Sequence, residues 1–173
     1  MAEDEISLSR HSFHRYSTGS NASSQNAEKV KVVLDTNVLI SAFLWQKTAK
    51  EVFRLAQTES IALCANREIL DEFQRVLQYE KFAGRLALIG KTPKEVTDEF
   101  LEISEMYPSR RFGKPIIKED PADDAFLICA ISCGADCIVS GDKHLLKLKS
   151  FGNIPILTPR QFLTRFKKAS KSS

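Results

Sequence analysis

The chain is poor in the residues that build zinc sites and disulfide frameworks. Its 173 residues include four cysteines and three histidines, and no two cysteines have the C-x-x-C spacing. Three of the cysteines lie inside strongly apolar segments, where a thiol behaves as a small hydrophobic side chain. We therefore expect buried, reduced thiols rather than a zinc site or a disulfide scaffold.

Long apolar runs and a basic amino-terminal segment are also missing. No apolar run approaches the roughly 20 residues that span a bilayer. The first residues, MAEDEISLSR, are acidic, whereas a signal or transit peptide is basic or poor in acids. We expect a cytoplasmic protein that does not bind membranes. A length of 173 residues, 43% of them hydrophobic, is enough for one domain with its own core.

The charge is unevenly distributed along the chain. Residues 1–28 carry four acidic and two basic side chains, so the remainder is more basic than the formal net charge of +3 indicates. The same 28 residues are rich in Ser, Asn and Gln and lack periodicity, which predicts a disordered tail. We assign a single folded domain to residues 29–168 and a flexible end to residues 169–173.

Strand-like and helix-like patterns alternate from residue 30 onward. This alternation predicts an α/β fold, with a short parallel β-sheet covered by α-helices on both faces. The predicted strands cover residues 30–35, 61–65, 137–140 and 154–157. The predicted helices cover residues 38–45, 50–57, 66–78, 81–89, 120–133 and 143–148, with two more opening at Thr92-Pro93 and Thr158-Pro159.

Two predicted strands end close to an aspartate. The run VKVVL stops at Asp35, and CIVSG is followed by Asp142. Strands of this aliphatic kind are typical of a parallel sheet buried on both faces. Open sheets of that type bind ligands at the carboxyl ends of their strands. We therefore expect Asp35 and Asp142 to converge on one site.

A third acidic position lies at the start of the helix after Asp120-Pro121. Acids in a first helical turn can simply stabilise the helix dipole, and this explains Asp120. The rest of the helix is apolar nearly all round, which leaves the further acids unexplained. Asp123 lies one turn before Leu127 and is expected to face the sheet edge, whereas Asp124 is the weaker candidate.

The fourth acidic position is Glu72, in the segment ANREILDEFQRVLQ. Glu72 falls on the shoulder of an apolar stripe with helical spacing, so it can reach the sheet edge or lie solvated on the rim. Carboxylates brought together need a compensating cation. Oxygen ligands without His or Cys suit Mg²⁺ or Mn²⁺. Asn37 and Ser140, beside two of the acids, serve either as supporting contacts or as ordinary turn residues.

These segments together resemble the PIN-domain family. The resemblance rests on VVLDTNVLISAFLW, the Glu72 helix, DPADDAFLICAISCGADCIVSGDKHLL and IPILTPRQFL. It extends over residues 30–166, and within the family it points to toxins of bacterial toxin–antitoxin pairs. It implies a metal-dependent endoribonuclease with Asp35, Glu72, Asp123 and Asp142 as catalytic acids, three of which (Asp35, Asp123 and Asp142) hold Mg²⁺ or Mn²⁺. The doubled acid Asp123-Asp124 leaves open which of the two contacts metal.

Other features allow more than one interpretation. Two basic runs can follow an RNA backbone or form solvated surface; they comprise Arg110, Arg111, Lys114 and Lys118, and Lys143, His144, Lys147 and Lys149. Trp45 and its neighbours Phe43 and Leu44 fit a core or a homodimer face. The alternatives to a ribonuclease are a DNA-directed or structure-specific nuclease and a non-catalytic module that binds RNA or a partner. An antitoxin partner is implied only by the resemblance.

Overall fold

The computed structural model describes residues 28–45, 48–109 and 124–171. The predicted tail, the basic run that begins at Arg110, and the acids Asp120 and Asp123 lie outside the described residues. The described strands are β1 (Val30–Leu34), β2 (Ile61–Ala65), β3 (Ser104–Met106), β4 (Cys137–Val139), β5 (Ser150–Phe151) and β6 (Ile154–Leu157). The described helices are α1 (Thr36–Leu44), α2 (Thr48–Gln57), α3 (Arg67–Leu77), α4 (Glu80–Leu88), α5 (Pro93–Ile103), α6 (Asp124–Cys133), α7 (Lys143–Leu148) and α8 (Pro159–Lys171).

The strands form one sheet in the order β3-β2-β1-β4-β6-β5. Every pairing is parallel except that of β5 with β6. The chain passes from β1 to β2 on one side and later returns to place β4 on the other side of β1. The strand order therefore reverses between β1 and β4, and the connections after these two strands leave in opposite directions. Such a switch point opens a crevice at the carboxyl edge of a sheet.

The central strands are buried on both faces. Successive residues of a strand point to opposite faces, yet Val32, Val33 and Leu34 are all buried, as is every residue of β2. Helix α6 packs on β1, β2 and β4, while α2 packs on β2 and against α8. The structure confirms the predicted α/β class with helices on both faces of the sheet.

Helix starts follow the predicted capping residues. The Asn66 side chain accepts a hydrogen bond from the Ile69 N–H and caps α3. Thr92 and Glu95 form a capping box ahead of α5, in which Pro93 is the first helical residue. Thr158 and Gln161 exchange the same pair of bonds at the start of α8. These local bonds satisfy N–H groups that a helix start otherwise leaves unpaired.

Several boundaries differ from the sequence-based expectation. Helix α1 begins at Thr36 rather than at residue 38, because the Asp35 side chain caps it. Strands β3 and β5 were not predicted, since they have only three and two residues and no apolar run; β5 makes the sheet mixed. Helix α8 continues to Lys171 and so includes residues that we assigned to a flexible end.

The structure also bears on the expectations for the cysteines and for the aromatic segment at Phe43 to Trp45. Each of the four cysteines is buried and free of disulfides. Leu44 is buried in the core, and Phe43 and Trp45 are partly buried against it. The Phe43 ring contacts the rings of Phe53 and Phe73. Within the described part of the chain, no helix combines the length and the apolar character that crossing a membrane requires.

Candidate active site

Asp35 lies at the carboxyl end of β1, at the switch point of the sheet. Its side chain is 2% exposed, and no other charged side chain among the described residues is buried. One oxygen, Oδ1, accepts a hydrogen bond of 2.7 Å from the Val38 N–H and so caps α1. The strand fixes the backbone of Asp35 and the helix start fixes its side chain.

The second oxygen of Asp35 is held from the neighbouring strand. Ser140, which directly follows β4 and is fully buried, donates its hydroxyl to Asp35 Oδ2. The Gly141 N–H donates to the same oxygen at 3.1 Å. The Asp142 N–H in turn donates to Ser140 Oγ at 2.9 Å. A continuous chain of hydrogen bonds therefore runs from the Asp142 backbone through the Ser140 hydroxyl to Asp35.

The pKa of Asp35 is raised above the ordinary value of an aspartate. Burial is the main cause, since it disfavours the charged form. The hydrogen bonds from Ser140, Val38 and Gly141 act in the opposite direction and offset burial only in part. A positive charge at this place would lower the pKa again. Asp35 is thus a buried carboxyl group that has no ion-pair partner among the described residues.

Glu72 is brought to the same place by Thr36. The Thr36 hydroxyl donates to Glu72 Oε2 at 2.9 Å. Thr36 follows Asp35 directly and is buried, whereas Glu72 lies in the second turn of α3 and is half-buried. The acid on the shoulder of the apolar stripe therefore faces the end of β1 rather than open solvent.

Asp142 lies at the opening of the loop after β4. Its Oδ1 caps α7 by accepting hydrogen bonds from the N–H groups of His144, at 2.7 Å, and Leu145, at 3.4 Å. Both bonds involve one oxygen, and the side chain remains half-exposed. Capping accounts for Oδ1 and leaves Oδ2 as the oxygen that is available to a ligand.

The remaining predicted acid, Asp123, lies outside the described residues. Its neighbour Asp124 is the first residue of α6. The start of α6 is tied to the carboxyl edge of the sheet, because the fully buried Asn66 at the end of β2 donates its side-chain N–H to the Ala125 carbonyl at 3.0 Å. This bond fixes the chain two residues after Asp123 at the edge that carries Asp35.

The donors at this edge fit a hard divalent cation. Carboxylate and hydroxyl oxygens surround the end of β1, and such oxygens are the usual ligands of Mg²⁺ and Mn²⁺. Among the described residues, no Lys or Arg forms an ion pair with Asp35, Glu72 or Asp142. The described part of the chain alone contains no group of three or more acidic, His or Cys side chains that is close enough to hold a metal.

Sequence reasoning missed two of the residues that organise this edge. Thr36 was not singled out, although its hydroxyl holds Glu72. Asn66 was placed only at the start of the helix predicted over residues 66–78, although its side chain also holds the start of α6. Thr36 directly follows Asp35, and Asn66 directly follows β2. Both positions lie at the carboxyl edge of the sheet, so examining the residues after every predicted strand would have found them. Asn37 is exposed in the first turn of α1.

The comparison with known families agrees with this geometry. A family model described as PIN domain matches residues 31–144, about two-thirds of the chain. The chain belongs to the PIN-domain family. This confirms the resemblance that the sequence motifs indicated. The fold is a nuclease fold, typically metal-dependent, and its substrates are nucleic acids. No curated protein matches the chain.

Proposed function

We propose that this protein is a metal-dependent endoribonuclease that hydrolyses RNA phosphodiester bonds. The observation that carries the proposal is the buried Asp35 at the switch point, which has no ion-pair partner among the described residues. It is linked through Ser140 to Asp142 and through the adjacent Thr36 to Glu72. The nuclease domain comprises residues 29–168, preceded by the tail of residues 1–28. The proposed catalytic residues are Asp35, Glu72, Asp123 and Asp142.

Three of these acids, Asp35, Asp123 and Asp142, would hold Mg²⁺ or Mn²⁺. Bound there, the cation supplies neutralisation of the phosphate charge and activation of the attacking water. Ser140 fixes the orientation of Asp35, and Thr36 fixes that of Glu72. Partners of metal ligands commonly set the geometry and the affinity of a site. Burial of Asp35 keeps bulk water from one side of the centre.

The cations that follow Asp142 support a nucleic-acid substrate at this edge. Lys143, His144 and Lys147 are exposed on α7, which starts at the site. Lysines of this kind neutralise phosphates and make binding dependent on salt. We propose single-stranded RNA as the substrate, since its backbone bends readily into a crevice of this kind. The first basic run, at residues 110–118, is expected to act with them.

Cleavage of RNA and DNA tests this proposal directly. Purified protein is incubated with labelled single-stranded RNA, and with DNA of the same sequence, in Mg²⁺, in Mn²⁺ and in excess EDTA. We expect RNA cleavage with either cation and none in EDTA. Activity that survives complete chelation would eliminate the metal centre. Preferential DNA cleavage would instead establish a DNA-directed nuclease with the same acidic site.

The finer proposal is that the protein is the toxin of a type II toxin–antitoxin pair. It rests on the sequence resemblance, and it entails a cytoplasmic location, an antitoxin partner and a homodimeric toxin. The neighbouring open reading frame tests it. A small upstream gene that encodes a DNA-binding protein, whose product suppresses RNA cleavage on co-purification, is the expected result. A genome position without such a gene would remove the toxin role and leave the nuclease assignment standing.

A further inference from the structure

A second surface combines aromatic rings with cations, at the end of α3 and along α4. It is called the aromatic–cation surface below, and it consists of Trp45, Arg75, Tyr79, Lys81, Phe82 and Arg85. The guanidinium of Arg75 lies 5.9 Å from the centre of the Tyr79 ring and donates a hydrogen bond of 2.6 Å to the Tyr79 hydroxyl. Tyr79 is 41% exposed.

Each ring of this surface has a cation above it. Lys81 Nζ lies 5.8 Å from the centre of the Tyr79 ring and 5.0 Å from that of Phe82. Arg85 lies 5.9 Å from the centre of the Trp45 ring. The rings of Trp45 and Phe82 meet edge to face, with 6.0 Å between their centres. The π faces and the positive charges therefore form one continuous patch.

The patch carries an excess of positive charge. Among the described residues, none forms an ion pair with Arg75, Lys81 or Arg85. The sequence from residue 75 to residue 88 contains only one acid, Glu80, against these three cations. Helix α4 has a single buried residue, Leu86, so most of its surface is open. Arg85 donates a hydrogen bond to the Leu44 carbonyl, whereas Lys81 is exposed beside the exposed Tyr79 ring. A cation without an ion-pair partner beside an exposed ring favours a ligand that offers both a negative charge and a flat π system.

The surface is continuous with the acidic edge through two helices. Arg75 follows Glu72 by three positions in α3, so the two side chains are neighbours on that helix. Tyr79 lies beyond the end of α3, at the start of α4, and is joined to Arg75 by the hydrogen bond to its hydroxyl. Trp45 is the C-cap of α1, and the first residue of α1, Thr36, holds Glu72. The acidic edge and the aromatic–cation surface are therefore connected through Glu72 and Arg75, which are neighbours on α3.

We propose that the aromatic–cation surface binds the bases of single-stranded RNA beside the bond that is cleaved. This inference rests on the proposed ribonuclease function and adds the surface that holds the substrate. Bases stack on Tyr79 and its neighbouring rings, while the long side chains of Arg75 and Lys81 exchange their ring contacts for phosphates. Stacking of this kind tolerates any base, because every base has a π face. Duplex RNA is excluded, since its bases are already stacked on one another.

The single tryptophan provides a fluorescence signal from the aromatic–cation surface. Trp45 is the only tryptophan in the sequence, so its fluorescence reports on the patch alone. The Asp35→Asn protein, which is expected to bind without cleaving, is titrated with single-stranded RNA, with duplex RNA of equal length and with inorganic polyphosphate. We expect saturable quenching by the single strand, and little change with the duplex or with polyphosphate, which carries charge but no bases.

Substitution of Tyr79 tests the stacking contribution. Tyr79→Ala in the Asp35→Asn protein should weaken binding of single-stranded RNA by about fivefold or more, as expected for the loss of one stacked base. Tyr79→Phe keeps the ring and should bind within about twofold of the parent, as should the control Arg54→Ala, which removes an exposed cation from α2. Circular dichroism and melting temperature establish that each variant is folded.

Several outcomes would overturn the inference. Equal affinity of the Tyr79→Ala and parent proteins for RNA, or quenching by polyphosphate as strong as that by RNA, would remove base stacking. Trp45 fluorescence that depends on protein concentration without RNA would assign the surface to a second copy of the chain. Failure of the ribonuclease proposal is distinct, because the protein with Asp35 intact would then cleave no RNA. Failure of this inference alone leaves cleavage intact and equal in the Tyr79→Ala and parent enzymes at all RNA concentrations.

Discussion

Charged residues at the amino edge and at the carboxyl edge of the sheet have different kinds of interaction partner. At the amino edge, Lys29 and Glu59 form a salt bridge of 2.9 Å, and Asp136 accepts a hydrogen bond from the Lys31 backbone. At the carboxyl edge, the partners of Asp35 and Glu72 are hydroxyl and backbone N–H groups, and no described cation pairs with either. The described acids at the amino edge have charged or backbone partners within the fold, whereas Asp35 and Glu72 at the carboxyl edge have no ion-pair partner among the described residues.

This contrast separates structural from functional acids better than sequence position does. Glu59 is fully exposed, and its neighbour Lys29 lowers its pKa. Asp35 is buried, and its pKa is raised. A raised pKa means that the ionised form of Asp35 is less favourable in the folded protein than in the unfolded chain, and a cation bound beside it would stabilise that form. Burial of Asp35 at the carboxyl edge lowers the stability of the fold, and a functional role of this residue can explain why it is present.

The largest effect should follow from removing the central acid. We expect Asp35→Asn to lower RNA cleavage by about a hundredfold or more, since even the partners of metal ligands are worth 10–100-fold. The melting temperature should equal or exceed that of the parent, because the substitution removes a buried charge. Turnover and thermal unfolding are measured side by side at neutral pH. Near-parental cleavage would show that the centre lies elsewhere.

The next largest difference in activity is expected between variants of the adjacent acids Asp123 and Asp124. Asp123→Asn should reduce cleavage far more than Asp124→Asn, because Asp123 has the spacing to Leu127 and Ala130 that the family resemblance implies. Each variant serves as the matched control for the other, since the two substitutions change adjacent aspartates in the same way. Equal losses, or a larger loss for Asp124→Asn, would move the ligand by one residue.

Ser140 tests the link between the two strand ends. Ser140→Ala removes the hydroxyl that joins the Asp142 backbone to Asp35. Cleavage should fall by about 10–100-fold, as expected for the partner of a ligand, and a higher concentration of Mn²⁺ should recover part of it. Ser140→Thr keeps the hydroxyl and is the conservative variant. Unchanged metal dependence in the Ser140→Ala protein would show that this serine contributes only to core packing.

The smallest effect is expected at the amino edge. Glu59→Gln removes an exposed ion pair, and such pairs contribute little to stability. Cleavage and Mn²⁺ dependence should therefore stay at parental levels. Because Lys29 lowers the pKa of Glu59, any contribution of the pair is present at neutral pH and is lost as the pH falls through that lowered value. Loss of activity in Glu59→Gln would erase the distinction between the two edges.

The sequence predicted the parts of this structure that local patterns determine. Strand β2 and helix α7 have the predicted bounds, because an uninterrupted apolar run and a cap followed by a short helix are local signals. Strands β3 and β5 were missed, because pairing with β2 and β6 defines them and their own side chains do not. Long-range hydrogen bonds are not visible in a linear pattern.

The candidate site divides in the same way. Asp35 and Asp142 were predicted from the strand ends that they follow, and the structure places them one serine apart in a chain of hydrogen bonds. The contact between Thr36 and Glu72 joins residues 36 positions apart in sequence, and no periodicity indicates it. Periodicity placed Glu72 on a helix shoulder, and only the packing of α3 beside α1 decides which surface that shoulder faces.

Direct measurement of Mn²⁺ binding tests the central claim, that the carboxyl edge is left uncompensated for a divalent cation. Titration calorimetry or electron paramagnetic resonance is performed without RNA on the parent, Asp35→Asn and Glu59→Gln proteins. We expect the parent and Glu59→Gln proteins to bind Mn²⁺ at a saturable site. The Mn²⁺ affinity of Asp35→Asn should be at least about tenfold weaker. Equal Mn²⁺ affinity in the Asp35→Asn and parent proteins would contradict it.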